Sequence, residues 1–473
     1  MSAPTSPRPA APARGRQRVS PFSPDAPIQP LWKPFIAFLV PMVASNLLQG
    51  LSGSLNNIYV GQMLGVSALA AVTSFFPMLF FMISLIIGIG AGASILIGQA
   101  FGAGDTSRIK AIAATSLTVV LIMGVLVAIF GGTLTRSLLT LLGTPPDVLP
   151  DAIAYARIML IAAPGVFVFL LATSMLRGVG DTITPLKTLG LSTVIGMILT
   201  PALIGGWIGL PPAGVTGGAW GSVVSMTIAM IWMTVHLRRS NHPLAPDRVF
   251  LKAMGIDRVL LGRVLRIGLP TGVMLVLIST SEILILSLVN RFGSDATASY
   301  GAITQVINYV QFPAISIGIT ASIFGAQAIG ARRTDRLPAI LRTALMLNLL
   351  LTGSLVVLVY IFTGPLLGLF LADPAVVARA RGLLHIVVWA LVIYGMGMAT
   401  SSLMRASGDV LVPTAISGTA ILLIGLPIGW YLSGPMGLEG VWLSYPIAFC
   451  LLAAGQAAYY NLVWKRRPIR RLV

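Results

Sequence analysis

Gly90-Ala-Gly-Ala-Ser-Ile-Leu-Ile-Gly-Gln-Ala-Phe-Gly-Ala103 returns 228 residues later as Gly318-Ile-Thr-Ala-Ser-Ile-Phe-Gly-Ala-Gln-Ala-Ile-Gly-Ala331. The same shift carries Pro146 onto Pro374, Arg177 onto Arg405, Asp181 onto Asp409 and Pro185 onto Pro413. Near the ends, Gly218-Ala-Trp220 returns as Gly440-Val-Trp442 after a short deletion. One offset holding over so long a stretch means that the chain is built from two related halves.

Each copy closes a long apolar run, and such runs fill the chain. Of its 473 residues, 56% are hydrophobic and 9% charged, against roughly 25% charged in soluble domains. Mean hydropathy is +0.92. A helix needs about 20 apolar residues to cross a bilayer. Twelve stretches qualify: 34–60, 66–98, 111–134, 152–175, 185–206, 217–237, 267–290, 296–326, 339–363, 380–403, 412–432 and 438–463. The expected fold is an all-α integral membrane protein of twelve transmembrane helices in two six-helix repeats. Six spans per half is an even number, so the halves insert parallel to one another, an arrangement used by transporters whose site lies between the repeats.

The net charge of +18 does not signal a nucleic-acid partner. Of 31 Lys and Arg, only Arg136, Arg157, Arg291, Arg379 and Arg381 fall outside the tails and one alternating set of loops. That is the positive-inside pattern, and it puts both termini in the cytoplasm. Trp32 and Trp464 suit the inner interface, and Trp207 and Trp430 the outer. Residues 1–33 read as a disordered basic tail with no signal peptide, 34–237 as the first lobe, 238–266 as a cytoplasmic linker, 267–463 as the second lobe and 464–473 as a second basic tail. Cys450 is the single cysteine, and His236, His242 and His385 are scattered. No metal cluster, nucleophile–base arrangement or phosphate-binding loop is expected. The reading is of a transporter rather than an enzyme, with no cofactor beyond a coupling cation.

Two related turns, Arg177-x-x-Gly180-Asp181-x-x-x-Pro185 and Arg405-x-x-Gly408-Asp409-x-x-x-Pro413, follow the fourth and tenth spans. Gly98-Gln-Ala-Phe-Gly-Ala-Gly-Asp105 follows the second, and Gly61 and Gly65 follow the first. Together these resemble the multidrug and toxic compound extrusion (MATE) transporters over roughly residues 30–460. The resemblance implies two six-helix lobes around a V-shaped cavity and rocking of one lobe against the other. It further implies export of organic cations from a bacterial cell, across its inner membrane, in exchange for H⁺ or Na⁺. A monomer is expected. The turns themselves read as structural. A flippase for lipid-linked saccharides, from the related polysaccharide exporters, is the alternative. It would need a basic cavity, for which Arg157, Arg381 and His385 are the candidates.

Glu282, in Ser279-Thr-Ser-Glu-Ile-Leu-Ile-Leu286, is the one acidic residue at mid-span. A charged side chain there costs about 2.5–3.5 kcal/mol on insertion scales, so such groups are functional by default. Glu282 is the candidate ion-coupling residue, for a proton, for Na⁺ or for a cationic substrate, and the resemblance implies a functional glutamate in this span. Asn56 stands where the family carries an aspartate, and its amide cannot exchange a proton. No aspartate occurs within 389–400, where the resemblance would place one, which favours protons over Na⁺. Asn46 and Gln49, Asn56 and Asn57, and Gln305, Asn308 and Tyr309 are the candidate cavity residues; Gln305 and Asn308 are spaced to share a helix face. Seven prolines, Pro41, Pro77, Pro164, Pro201, Pro270, Pro313 and Pro427, lie within spans, where each removes a helix hydrogen bond. The halves are unequal, because the residue equivalent to Glu282 is Ser54.

Overall fold

The computed structural model describes residues 21–22, 30–207 and 211–473. The expectation of disorder for residues 1–33 therefore falls mostly outside the described residues. The described chain is all helix and loop. In order come α1 (Trp32–Leu64), α2 (Val66–Ser74), α3 (Phe76–Gly102), α4 (Thr106–Leu141), α5 (Leu149–Ile161), α6 (Ala163–Gly178), α7 (Ile183–Gly205), α8 (Val215–Arg239), α9 (Arg248–Lys252), α10 (Arg258–Val289), α11 (Ser294–Gly330), α12 (Leu337–Gly368), α13 (Pro374–Val387), α14 (Ala390–Arg405), α15 (Leu411–Gly418), α16 (Leu426–Leu432) and α17 (Leu438–Leu462). Eleven segments are long and apolar enough to cross a membrane, and α5 with α6, bent by 54° at Ala162, makes a twelfth.

The breaks follow the chemistry of the spans. Pro164 enters the first turn of α6, where the missing N–H costs least; Gly124 of α4 sits so close that a Cβ there would lie 2.5 Å from the Pro164 backbone. Pro77 starts α3 in the same way. A π-helical stretch, Thr419–Gly425, precedes Pro427 and joins α15 to α16. Of the seven span prolines, only Pro41, Pro201, Pro270 and Pro313 lie inside helices.

Loops on the side of the two termini are closed by carboxylate caps. Asp105 accepts from the Arg108 N–H, Asp247 from Phe250, and Asp257 from Val259 and Leu260. The last of these starts α10 at Arg258, so the connection between halves is 240–257, shorter than the 238–266 expected. Exposed Asp247 also pairs with Lys110. The Lys110 ammonium, then the Phe250 N–H, holds this carboxyl below the ordinary carboxylate value, about 3.9. A depressed carboxyl stabilises the fold above its unfolded value and loses that contribution as pH falls through its native one. Thermal unfolding from pH 7 to 3 is expected to show Asp247→Asn matching wild type in slope above pH 5 and flatter than wild type below pH 4.

The buried apolar residues form three clusters whose membership gives the shape. One draws on both halves, from Phe35, Leu96 and Ala113 to Val264, Phe324 and Leu403. A second holds only first-half residues between Val60 and Ala219. The third holds only second-half residues between Ile285 and Phe449. The shared core lies at the end of the bundle where α1 begins and α17 ends, called the basic face below. Toward the opposite face it divides into two, so the halves meet at one end and part at the other.

Candidate functional site

The seam between the halves is made by four helices. On one flank α3 crosses α10. Two small-x-x-x-small pairs, Gly88 with Gly92 and Gly268 with Gly272, let the backbones meet. A Cβ at Gly88 would lie 2.4 Å from the Gly268 carbonyl oxygen, and one at Gly268 would lie 2.6 Å from that of Gly88. Such close approach is the usual source of helix affinity in lipid, where the hydrophobic effect gives none. On the other flank α1 meets α11 through side chains. Phe35 and Phe38 pack edge-on against Phe324, Asn46 donates to Ser316 Oγ at 2.9 Å, and a Cβ at Gly50 would lie 3.6 Å from the Phe312 ring.

At the basic face the repeat motifs close the seam with two-fold regularity. Gln99 Nε2 donates to the Ala406 carbonyl at 2.8 Å, and Gln327 Nε2 to the Gly178 carbonyl at 3.1 Å. Both bonds cross between halves, and each residue of one is its counterpart in the other shifted by 228. Gly102 and Gly330 complete the crossing: a Cβ on either would stand 2.0 Å from the carbonyl oxygen of Gln327 or Gln99. The segment expected as the second basic tail bonds to this crossing. The Leu472 N–H donates to Gln99 Oε1 at 2.8 Å, Arg471 donates to the Gly330 carbonyl, and Arg263 to the Leu472 carbonyl.

Past Gly50 and Phe312 the α1–α11 flank opens. Gly53 and Gly301 face empty space, and Gln305, Asn308 and Tyr309 are exposed along one face of α11. Gln49 is exposed on α1, while Asn46 is half-buried and spent on the seam. Of the expected cavity residues, then, Gln49, Gln305, Asn308 and Tyr309 stand where the halves diverge, and Asn46 helps hold them together.

Glu282 belongs to the second half's own wall. It is exposed, between buried Ser281 and Ile285 on α10. The interior of the same half holds Tyr300 on α11, Tyr394 on α14 and Tyr445 on α17, each buried or half-buried. These rings belong to one aromatic stack: Tyr300 lies 5.5 Å from Trp442, Trp442 stacks at 5.5 Å on Tyr445, and Phe449 reaches Tyr394 at 4.8 Å. Ser281 Oγ and Trp442 Nε1 are buried without a hydrogen-bond partner. A carboxylate and a stack of electron-rich rings in one half suit an organic cation, by charge and by cation–π attraction. The stack was missed in the sequence, although Tyr394 and Tyr445 at mid-span were a legible signal.

Asn56 and Asn57 lie apart from that wall, inside the first half. Asn56, with Tyr59, Ser192, Thr193, Thr200 and Ser225, lines a polar cavity of about 80 Å³, and its side chain reaches Tyr155. The Oδ1 atoms of Asn56 and Asn57 are buried and unpartnered. Arg157 and Arg381 are exposed, and His385 is held 2.9 Å from Thr363 Oγ1 with its ring against Tyr360. The turns expected as structural are so: Gly180 and Gly408 take φ of +82° and +87°. Asp181 caps α7 through the Ile183 and Thr184 N–H groups, while Asp409 accepts from the Tyr459 hydroxyl at 2.6 Å.

The MatE family model matches the chain twice, over residues 41–202 and 270–431, together more than half of it. The chain belongs to the MATE family. The two matches fall one on each half, as the internal repeat requires. Among curated relatives, the probable multidrug resistance protein YoeA of Bacillus subtilis (strain 168) is 43% identical over 445 residues, 94% of this chain and 96% of that protein. The multidrug export protein MepA of Staphylococcus saprophyticus is 25% identical over 438 residues, 91% of this chain and 94% of MepA. Solved MATE structures share the fold. A MATE transporter in complex with MaD3S superposes with a TM-score of 0.84 at 22% identity, over 92% of this chain and 97% of that one. A transporter of the MOP superfamily from Pyrococcus furiosus, described as having a binding pocket of reverse polarity, gives 0.84 at 22% identity, over 92% and 96%. As a MATE protein this chain is a multi-pass membrane transporter and not an enzyme.

Proposed function

We propose that this chain is a secondary antiporter that exports cationic, amphipathic compounds in exchange for H⁺ or Na⁺. The observation that carries the reading is Glu282, an exposed carboxylate within a membrane span of the second half, the half that also holds the stack of Tyr300, Trp442 and Tyr445. One carboxylate that accepts either the coupling cation or the drug makes the two compete, and competition at a single alternately exposed site is exchange. The multidrug names of YoeA and MepA support the substrate class. In this reading the basic face is cytoplasmic, by the positive-inside pattern, and the cleft opens outward from a bacterial inner membrane. The protein acts as a monomer. Asn56 in the first half and the lack of an acid in α14 support protons over Na⁺. The saccharide-flippase alternative needed a basic cavity, and no observation gathers Arg157, Arg381 and His385 into one.

The test is uptake of a fluorescent organic cation by proteoliposomes under an imposed pH gradient or an imposed Na⁺ gradient. Transport driven by the pH gradient alone is the expected result. Drive by Na⁺ alone would reassign the ion, and transport unaffected by either gradient would overturn the antiporter reading.

A further inference from the structure

A cavity of about 460 Å³ opens at the basic face, outside the cleft and its seam. Three separate pieces of chain make its walls: the first turns of α10, the Ser407–Leu411 turn, and the segment following α17. Five arginines line it, Arg263, Arg266, Arg467, Arg470 and Arg471, against one acid, Asp409. Asp409 is already engaged by the Tyr459 hydroxyl. Arg263 and Arg471 are spent on the Leu472 and Gly330 carbonyls, and Arg467 reaches the Tyr459 hydroxyl at 3.4 Å. Arg266 and Arg470 are exposed, and neither forms an ion pair among the described residues.

Topology asks only that loops carry positive charge; it does not ask for a cavity, nor for arginine over lysine. Guanidinium groups converging from different segments match the forked geometry of a phosphate. Buried Trp464 donates to Ser407 Oγ at 3.0 Å and fixes the segment that carries Arg467 and Arg470. Basic pockets at the membrane surface take anionic headgroups.

We propose that this cavity is a binding site for a phosphate group, with Arg266 and Arg470 as its primary contacts. The proposal rests on the basic face lying at the membrane surface, and the binding measurement below is independent of transport. A bound phosphate bridges α10 to the segment that touches Gln99, so occupancy reinforces closure of the seam.

The test uses full-length protein in nanodiscs of phosphatidylglycerol or of phosphatidylcholine, with native mass spectrometry of retained lipid. Saturable retention of phosphatidylglycerol is expected, weakened about 30-fold by Arg266→Gln with Arg470→Gln, and unaffected by Arg136→Gln. Competition by millimolar inorganic phosphate would identify a free anion as the natural source, and retention in its presence a lipid headgroup. Hydrogen exchange gives a readout free of mutation: the backbone of 464–472 is expected to slow when phosphatidylglycerol or phosphate is added. Equal retention by variant and wild type, or exchange unchanged by both ligands, would overturn the proposal.

Discussion

Glu282→Gln is expected to reduce gradient-driven transport of an organic cation to the level of protein-free liposomes, with folding intact. The substitution keeps the volume of the side chain, exchanges one carboxylate oxygen for an amide donor, and removes its charge and its ability to carry a proton. Glu282 is exposed, so it supports no packing whose loss would unfold the second half. An unpaired carboxylate in a membrane segment costs insertion energy, so the amide is expected to raise the thermal midpoint slightly while transport is lost. Opposite signs for stability and activity mark a group retained for function. Ser54→Glu in the same background places a carboxylate at the equivalent position of the first half. Because Ser54 lacks the tyrosine stack, it is not expected to rescue transport. Full coupling in the Gln variant would remove Glu282 from the mechanism.

The second large effect is expected at the seam. Gly102→Val puts a Cβ where the nearest atom, the Gln327 carbonyl oxygen, is 2.0 Å away, against 3.4 Å for ordinary contact. The neighbour is backbone on both sides, so neither side chain can swing clear and the halves must separate by more than an ångström. Overpacking of this kind costs about 1–3 kcal/mol and more where nothing can relax, and each 1.4 kcal/mol is tenfold in an equilibrium. The closed basic face is therefore expected to lose occupancy by roughly tenfold or more. Spin labels on the exposed Ser107 and Thr334 report it as a longer distance, together with transport near background. Gly330→Val should match it, since the two positions are related by the repeat. Gln99→Leu with Gln327→Leu should weaken the closed face by a comparable amount without forcing a gap, because leaving the Ala406 and Gly178 carbonyls unpaired costs about 1–3 kcal/mol each. A Gly102→Val protein with wild-type distance and transport would show that the seam does not set the state.

Much of this was legible in the chain. Apolar runs gave the twelve spans because a bilayer imposes a length on them, and the offset of 228 gave the parallel halves. What the sequence concealed depended on which faces meet. Gln99 and Gln327 were visible as repeat residues, but nothing local says that each bonds to the other half. Asn46 and Asn56 look alike as amides of the first span; one bridges the halves and the other lines a cavity within the first. Gly88, Gly92, Gly268 and Gly272 fit a known packing pattern, yet the pattern does not name the partner helix. The basic segment after α17 read only as a basic tail, and nothing local says that Leu472 and Arg471 bond to Gln99 and Gly330.

The division of the apolar core bears on how the protein is made. The first half is translated and inserted before the second exists. Its outer cluster, Val60 to Ala219, needs nothing more and is complete at that point. Its inner surface is not: Leu96, Ile97 and Ala100 are buried in the cluster shared with Val264, Phe324 and Leu403, and the Gly88–Gly92 ridge is bare until α10 arrives. Until then the nascent chain holds a half-finished face that lipid or an insertase must cover. Docking of the completed second half, across a connection of only 240–257, is the step at which biogenesis commits, and the step most exposed to a wrong partner in a crowded membrane.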